Sequence, residues 1–296
     1  GYADSGYAAF RSSNANRRRM LYAGANDGML HAFNAHDGTA GTQSYGGGTE
    51  EWAYVPGLVL PRMKNLADPV GSFQATVDGY ITVGDADLGN TAGGTGTDWR
   101  TLLVGGLGRG GKGFFALDVT TPSAATNADA AAKALWEFPA AGSTHAANVG
   151  LSFSRPILVK HEVVATNGTR SGEGWIVIVS SGYNNGGSGD GRGYLYVLNA
   201  RTGALIRAIS TGVGSSTDPS GLGQISAWVD DDMTDSTVRW VYGGDLQGNL
   251  WRFDLTAADP ANWTVTRLAT LTDPSGAAQP ITVAPELARI SAGTGT

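Results

Sequence analysis

Apolar residues in this chain fall in short runs, and four times the same order recurs: an apolar run, a glycine-bearing turn, a second apolar run, then Asn or Asp. The first copy is Leu21-Tyr22-Ala23-Gly24-Ala25-Asn26-Asp27-Gly28-Met29-Leu30-His31-Ala32-Phe33-Asn34. The second runs from Leu102-Leu103-Val104-Gly105-Gly106 to Phe114-Phe115-Ala116-Leu117-Asp118. The third joins Ile176-Val177-Ile178-Val179 to Tyr194-Leu195-Tyr196-Val197-Leu198-Asn199, and the fourth is Trp240-Val241-Tyr242-Gly243-Gly244-Asp245-Leu246-Gln247-Gly248-Asn249-Leu250-Trp251-Arg252-Phe253-Asp254. Two short apolar runs about a glycine turn predict a β-hairpin, with Gly28 and Gly248 supplying the positive φ of a tight turn. Strands such as Tyr194-Leu195-Tyr196-Val197-Leu198 are apolar on both faces, which predicts cover on both sides. Helical periodicity is confined to Asn127 to Ala134, an Ala-rich stretch behind a Thr/Asn cap.

A motif recurring along the chain points to a repeat architecture, and radial stacking of four-stranded blades buries both faces of each sheet. The first two spacings between repeat ends (Asn34, Asp118, Asn199, Asp254) are near twice a blade of about 40–45 residues. Each long gap therefore has room for a weaker blade, around Val77-Asp78-Gly79-Tyr80-Ile81-Thr82-Val83 and around Pro156-Ile157-Leu158-Val159-Lys160. A further repeat would open at Ile281-Thr282-Val283-Ala284-Pro285. The expectation is an all-β fold, a seven-bladed β-propeller of quinoprotein-like repeats with long Gly-rich loops. It would form one domain over residues 1–296, with 1–18 as a leading segment and the chain stopping inside another blade.

Composition agrees. Glycine is 45 of 296 residues and sits between apolar runs without a collagen period, so it marks turns. Eight Trp, ten Tyr and eight Phe give ample core bulk. The net charge of −6, with basic residues dispersed apart from Arg17-Arg18-Arg19, gives no footprint for nucleic acid. The Arg triplet reads as a solvated edge beside the first strand. No apolar run nears the roughly 20 residues of a membrane span, and Gly1 to Phe10 lacks the marks of a signal peptide. Absence of cysteine removes disulfides, thiolate metal sites and thiol catalysis.

A series of motifs resembles a known family. In order they are Glu51-Trp52-Ala53-Tyr54-Val55-Pro56, Val77-Asp78-Gly79, Asp98-Trp99-Arg100-Thr101-Leu102-Leu103-Val104-Gly105-Gly106-Leu107-Gly108, and Gly113-Phe114-Phe115-Ala116-Leu117-Asp118-Val119-Thr120. Then come Phe153-Ser154-Arg155-Pro156, Ser181-Gly182-Tyr183-Asn184, Gly193-Tyr194-Leu195-Tyr196-Val197-Leu198 and the Gly244–Asp254 segment. From about Arg19 to Pro285 the chain resembles the C-terminal propeller of the PilC/PilY family, the type IV pilus tip-associated adhesins and assembly factors. The resemblance implies the C-terminal part of a larger, non-enzymatic protein of the cell surface. It would sit at the pilus tip with minor pilins, support pilus extension and twitching motility, and contact a surface or host receptor. Contact regions would be the loops Gly41 to Gly48, Gly89 to Asp98 and Gly182 to Gly193, presented from a rigid scaffold.

The resemblance also implies a calcium loop before the Gly-Asp-Leu-x-Gly-Asn-Leu-Trp segment, with oxygen ligands at alternate positions. Counting back from Asp245 starts that loop at Asp231, with Met233 third, Asp235 fifth and Arg239 last. A thioether is a poor calcium ligand and a guanidinium repels the ion. The alternative register uses Asp230, Asp232 and Thr234 and ends on Val238, and neither register has the turn glycine. Two readings stand: a degenerate calcium site on these aspartates, and a solvated acidic turn in which Arg239 pairs a carboxylate as built-in cation. The missing ligands favour the second, so no cofactor is expected, with calcium the one candidate. Asp85-Ala86-Asp87-Leu88-Gly89-Asn90 has Asp-x-Asp spacing but no fourth ligand, and Gly186–Gly193 lacks the lysine and helix of a phosphate loop.

Two further function classes share the hairpin pattern. A quinoprotein dehydrogenase needs polar residues converging on its cofactor, and His31, His36, His145 and His161 are scattered. His31, on a strand, reads as a packed or edge residue. A carbohydrate-binding propeller would use Trp52, Trp99, Trp175, Trp228 or Trp263 as stacking planes, which in propeller blades are more often core.

Overall fold

In the computed structural model, residues 2–35, 38–40, 43–231 and 233–288 are described. A leading segment carries helix α1 (Tyr7–Ser13). Blade 1 follows, with strands β1 (Met20–Gly24) and β2 (Leu30–Asn34), a small hairpin β3 (Gly38–Ala40) and β4 (Gln43–Tyr45), and β5 (Glu50–Tyr54). Helix α2 (Leu60–Leu66) leads to blade 2: β6 (Ile81–Asp87), β7 (Trp99–Gly106) and β8 (Phe114–Asp118), then helix α3 (Asn127–Ala131) and β9 (Ala134–Phe138). Blade 3 is β10 (Ile157–Val164), β11 (Arg170–Ser180), β12 (Tyr194–Asn199) and β13 (Leu205–Ser210). Blade 4 is β14 (Ile225–Asp231), β15 (Asp235–Gly244), β16 (Asn249–Asp254) and β17 (Thr264–Thr270).

Blades 2, 3 and 4 are four-stranded antiparallel meanders, and blade 1 is a three-stranded sheet β1-β2-β5. Each repeat seen in the sequence is the central hairpin of a blade, or β1–β2 in the first. Turn glycines Gly28 and Gly248 have φ of 98° and 77°, as the tight turns require. Helix α3 opens behind Thr126, whose hydroxyl and the Asp129 carboxylate close a capping box, and it stops before Ala134 enters β9.

The expected count of seven blades is not confirmed: four sheets of this kind are present among the described residues. The stretches read as weaker blades around Val83 and Leu158 are instead β6 and β10, the opening strands of blades 2 and 3. Long internal loops and irregular links between blades stretch the spacing between hairpins, so the gaps hold connections rather than extra sheets. The segment from Ile281 carries no strand; Ile281 N donates to Asp245 O at 3.0 Å and its side chain lies over Gly244. Residues 289–296, where a further blade would continue, lie outside the described residues.

Three cores lie between successive blades, and the strands divide their side chains between them. On β8, Phe115 and Leu117 join the blade 1–2 core, while Phe114 and Ala116 join the blade 2–3 core. On β12, Tyr196 and Leu198 face blade 2, and Leu195 and Val197 face blade 4. That alternation explains strands apolar on both faces. Each fully buried Leu, Ile or Phe contributes about 1.5–3 kcal/mol, which makes the inter-blade faces the main source of stability. Tyr2, Tyr7 and Phe10 of the leading segment pack on the blade 2–3 core. Blades 3 and 4 are also joined by a parallel bridge, Lys160 opposite Thr237.

Candidate functional site

Charged groups of three blades and the leading segment meet in one cleft of about 520 Å³. Its walls include Asp4, Asp87, Lys160, Glu162, Arg170 and Asp235. The cleft exists because β10 and β15 run side by side and the β14–β15 turn projects beside the end of β6. Both acidic stretches singled out in the sequence therefore border it.

Lys160 is the centre. It interrupts the apolar strand Ile157-Leu158-Val159 and its side chain is only 3% exposed. A buried charge needs partners, and Nζ has three carboxylates around it: Asp4 Oδ1 at 2.7 Å, Asp235 Oδ1 at 3.3 Å and Glu162 Oε2 at 3.5 Å. Arg170 pairs with Glu162 from the adjacent strand. Burial pulls the Lys160 ammonium down, but the hydrogen bond and charge of Asp4, with Glu162 and Asp235, outweigh it and leave the pKa raised. Asp235 is likewise pushed up by burial, and the Thr237 and Lys160 contacts bring it below the ordinary carboxylate value.

The predicted metal residues border this same cleft. Asp231 and Asp235 face each other across the turn as the last pair of the β14–β15 ladder. Asp231 Oδ1 accepts from Met233 N at 2.9 Å and its Oδ2 from Thr234 Oγ1 at 2.7 Å, so the turn itself uses the carboxylate. Asp235 Oδ1 accepts from Thr237 N and Oγ1, at 3.0 and 2.6 Å, and faces Lys160. The cation facing Asp235 is thus Lys160, which sequence reasoning did not pick. Asp232 lies outside the described residues, and only the backbone of Asp230 is described. Among the described residues no group of three or more His, Asp or Glu is placed to hold a metal ion. As a calcium cage the Asp231–Asp235 pair fits poorly: both Asp231 oxygens and Asp235 Oδ1 are engaged by internal donors, and an ammonium stands against the latter.

In the second acidic loop Asp85 accepts from Thr101 Oγ1 at 2.6 Å and Tyr7 OH at 3.1 Å, whereas Asp87 accepts from Gly89 N and Asp98 N. The two carboxylates serve separate donor sets. The Arg triplet is less solvated than expected: Arg17 donates to Thr101 Oγ1 at 2.7 Å and Arg18 pairs with Glu51, tying the segment to blades 2 and 1.

Both strand histidines have their ring nitrogens engaged. His31 sits on β2 between Glu50 Oε1 at 2.7 Å and Asp27 Oδ2 at 2.9 Å, which raise its pKa, foremost through the Glu50 hydrogen bond. His161 is buried; Nε2 lies 3.1 Å from Ala257 O, Nδ1 accepts from Glu173 N, and burial lowers its pKa. His145 packs edge-on against Tyr196, and His36 lies outside the described residues. Trp52, Trp99, Trp175 and Trp263 are core residues, and Trp228 is half-buried on β14.

Of the predicted contact loops, Gly89 to Asp98 is mostly exposed. Gly182 to Gly193 is largely packed: Asn185 is buried, donating to Asn148 O and Arg192 O, and Tyr194 OH donates to Asp190. Residues 41 and 42 of the Gly41 to Gly48 loop lie outside the described residues.

Stacked antiparallel blades with apolar cores between them define a β-propeller. The sequence matches the family described as the PilY1 beta-propeller domain over residues 2–296, and the chain belongs to that family. It is 36% identical over 301 residues to a type IV pilus biogenesis factor PilY1 homolog of Xylella fastidiosa, covering 95% of this chain and 18% of that protein. It is 33% identical over 306 residues to the type IV pilus biogenesis factor PilY1 of Pseudomonas aeruginosa strain PAO1, covering 96% and 23%. The crystal structure of the P. aeruginosa PilY1 C-terminal domain superposes with a TM-score of 0.67 at 32% identity, covering 96% of this chain and 52% of that one. The chain thus spans about a fifth of the curated relatives it matches and about half of the solved domain. Its family is one of type IV pilus biogenesis factors, and no helix among the described residues is long and apolar enough to cross a membrane.

Proposed function

We propose that this propeller is a non-enzymatic binding scaffold in the type IV pilus machinery at the cell surface, acting through protein–protein contacts at the pilus tip with minor pilins. The observation that carries the reading is likeness along nearly the whole chain to pilus biogenesis factors. The site chemistry supports it: Lys160, Asp235, Asp231 and His31 are held in internal pairs, an arrangement suited to a rigid scaffold. Pilus extension, twitching motility and adhesion to a surface or host receptor are the activities such a scaffold would serve. Of the loops, Gly89 to Asp98 is the strongest contact candidate, being exposed and bordering the cleft.

The test is replacement of that loop by a tight turn in the parent gene of a piliated host. Surface piliation, twitching and co-purification of minor pilins are then measured, with circular dichroism on the purified domain as the folding control. Loss of minor-pilin capture with the fold intact is expected. Unchanged capture and unchanged twitching would refute the loop assignment, and normal piliation after removal of the whole domain would refute the scaffold reading.

A further inference from the structure

Residues 2–10 do not trail from the propeller; they lie across three blades and touch each of them. Helix α1 has no buried residue, and Ala3 and Ser5 are exposed. With the segment in place the side chains beneath it are covered: Trp99 is 6% exposed, Trp175 0% and Lys160 2%. Tyr2 stacks on Trp99 with ring centroids 5.9 Å apart and meets Trp175 edge-on at 5.2 Å. Two residues on, Asp4 reaches the Lys160 ammonium at 2.7 Å. Between them Ala3 N donates to Thr234 O in the acidic turn at 3.0 Å, and Trp99 Nε1 donates to Ser5 O at 2.8 Å. Tyr7 packs on Trp99 at 4.7 Å and its hydroxyl donates to Asp85.

These contacts have the layout of peptide recognition: an aromatic anchor in an aromatic pocket, main-chain hydrogen bonds on both sides, and a carboxylate on a buried cation. Trp175 and Lys160 are opposite one another in the β10–β11 ladder, so both fall on one face and their spacing is set by the sheet. Two buried polar atoms here have no partner, Trp175 Nε1 and Asp4 Oδ2, so the seat and its present occupant are not completely matched. From these observations we propose that the groove between blades 2, 3 and 4 is a docking site for an extended peptide of aromatic–x–acid pattern, and that Tyr2-Ala3-Asp4 is its occupant in cis. A second peptide of that pattern, with an aromatic residue two before a carboxylate, gains access when the cis segment lifts. Lys160 reads the acid and the Trp99/Trp175 pair reads the ring.

The test uses the full chain carrying Tyr2→Ala and Asp4→Ala, which empties both anchor points, with circular dichroism and the thermal midpoint as the folding control. The probe is an acetylated peptide of residues 2–10, Tyr-Ala-Asp-Ser-Gly-Tyr-Ala-Ala-Phe, followed by fluorescence anisotropy. Binding at least tenfold tighter to the variant than to the unaltered chain is expected, because the cis segment competes in the latter. Peptides with the first Tyr changed to Ala, or Asp to Asn, should each lose tenfold or more, a comparison independent of protein folding. Equal binding to both chains, no binding to the variant, or indifference to both peptide changes would each overturn the proposal.

Discussion

Trp251 donates its indole Nε1–H to Oδ2 of Asp245 at 2.8 Å, and the carboxylate that receives it is completely buried. The same carboxylate takes the backbone N–H of Gln247 and Asn249 at 2.9 Å and the Asn249 side-chain amide. The Gly-Asp-Leu-Gln-Gly-Asn-Leu-Trp segment is therefore a turn wound around one anion, and its recurring residues serve the fold. Hydrogen bonds to a charged group contribute about 1.5–3 kcal/mol each, and stranding buried donors adds to the loss. Asp245→Ala should cost about 3 kcal/mol or more, read as a lowered urea midpoint. Trp251→Phe, which keeps the packing and drops one donor, should cost about 1–2 kcal/mol. A shift under about 0.5 kcal/mol for Asp245→Ala would show the anion to be dispensable.

Glu137 performs a similar service between blades. From β9 it accepts Tyr54 OH at 2.9 Å and Gly57 N at 2.5 Å on Oε1, and Leu58 N at 3.1 Å on Oε2. Those donors stand where blade 1 ends, so one side chain fixes the exit from blade 1 against blade 2. Burial, with the neighbouring Glu137 charge, pushes the Tyr54 phenol well above its usual value. Glu137→Ala should cost about 2 kcal/mol and speed exchange of the Gly57 and Leu58 amides more than those of β12. Uniform acceleration across all blades would argue against a local clamp.

The central hairpins could be read from sequence because β8 and β12 feed two cores at once, leaving apolar side chains at successive positions. What was misread is just as physical. Strands β6 and β10 are set apart from their hairpins by loops, and β10 carries Lys160 and His161, so neither showed to which sheet it belonged. Tyr2, Tyr7 and Phe10 are too sparse to signal a core contribution until Trp99 and Trp175 are placed beneath them. The pairing of Lys160 with Asp4 spans 156 residues and has no local trace, although a lysine inside an apolar strand was a signal that a buried partner existed.

His31 gives a pH-dependent signature. Its pKa is raised above 6.5, first by the hydrogen bond to Glu50 and also by Asp27, against the opposing effect of burial. A raised folded pKa means stabilisation fully present below the unfolded value of about 6.5 and lost as pH rises through the folded value. Imidazole shifts followed by NMR should titrate above 6.5, with Glu50→Gln lowering the midpoint more than Asp27→Asn. A midpoint at or below 6.5 would mean the two carboxylates do not hold the proton.

Calcium titration decides how the acidic turn is used. An oxygen cage for this ion needs six to eight oxygens free to converge. Here Asp231 is bound to the Met233 and Thr234 amides and the Thr234 hydroxyl, while Asp235 is shared by Thr237 and Lys160. The ammonium opposes a second cation directly, since like charges at this distance in a partly buried site repel strongly. Met233, at the third position of the Asp231 register, is 69% exposed and offers sulfur where oxygen is required. Calorimetry with calcium should therefore show no micromolar binding to the unaltered chain, with Asp231→Ala and Asp235→Ala indistinguishable from it. Micromolar heat abolished by either substitution would mean that the turn opens, that Lys160 yields Asp235 to the ion, and that the internal cation is a resting partner rather than a replacement.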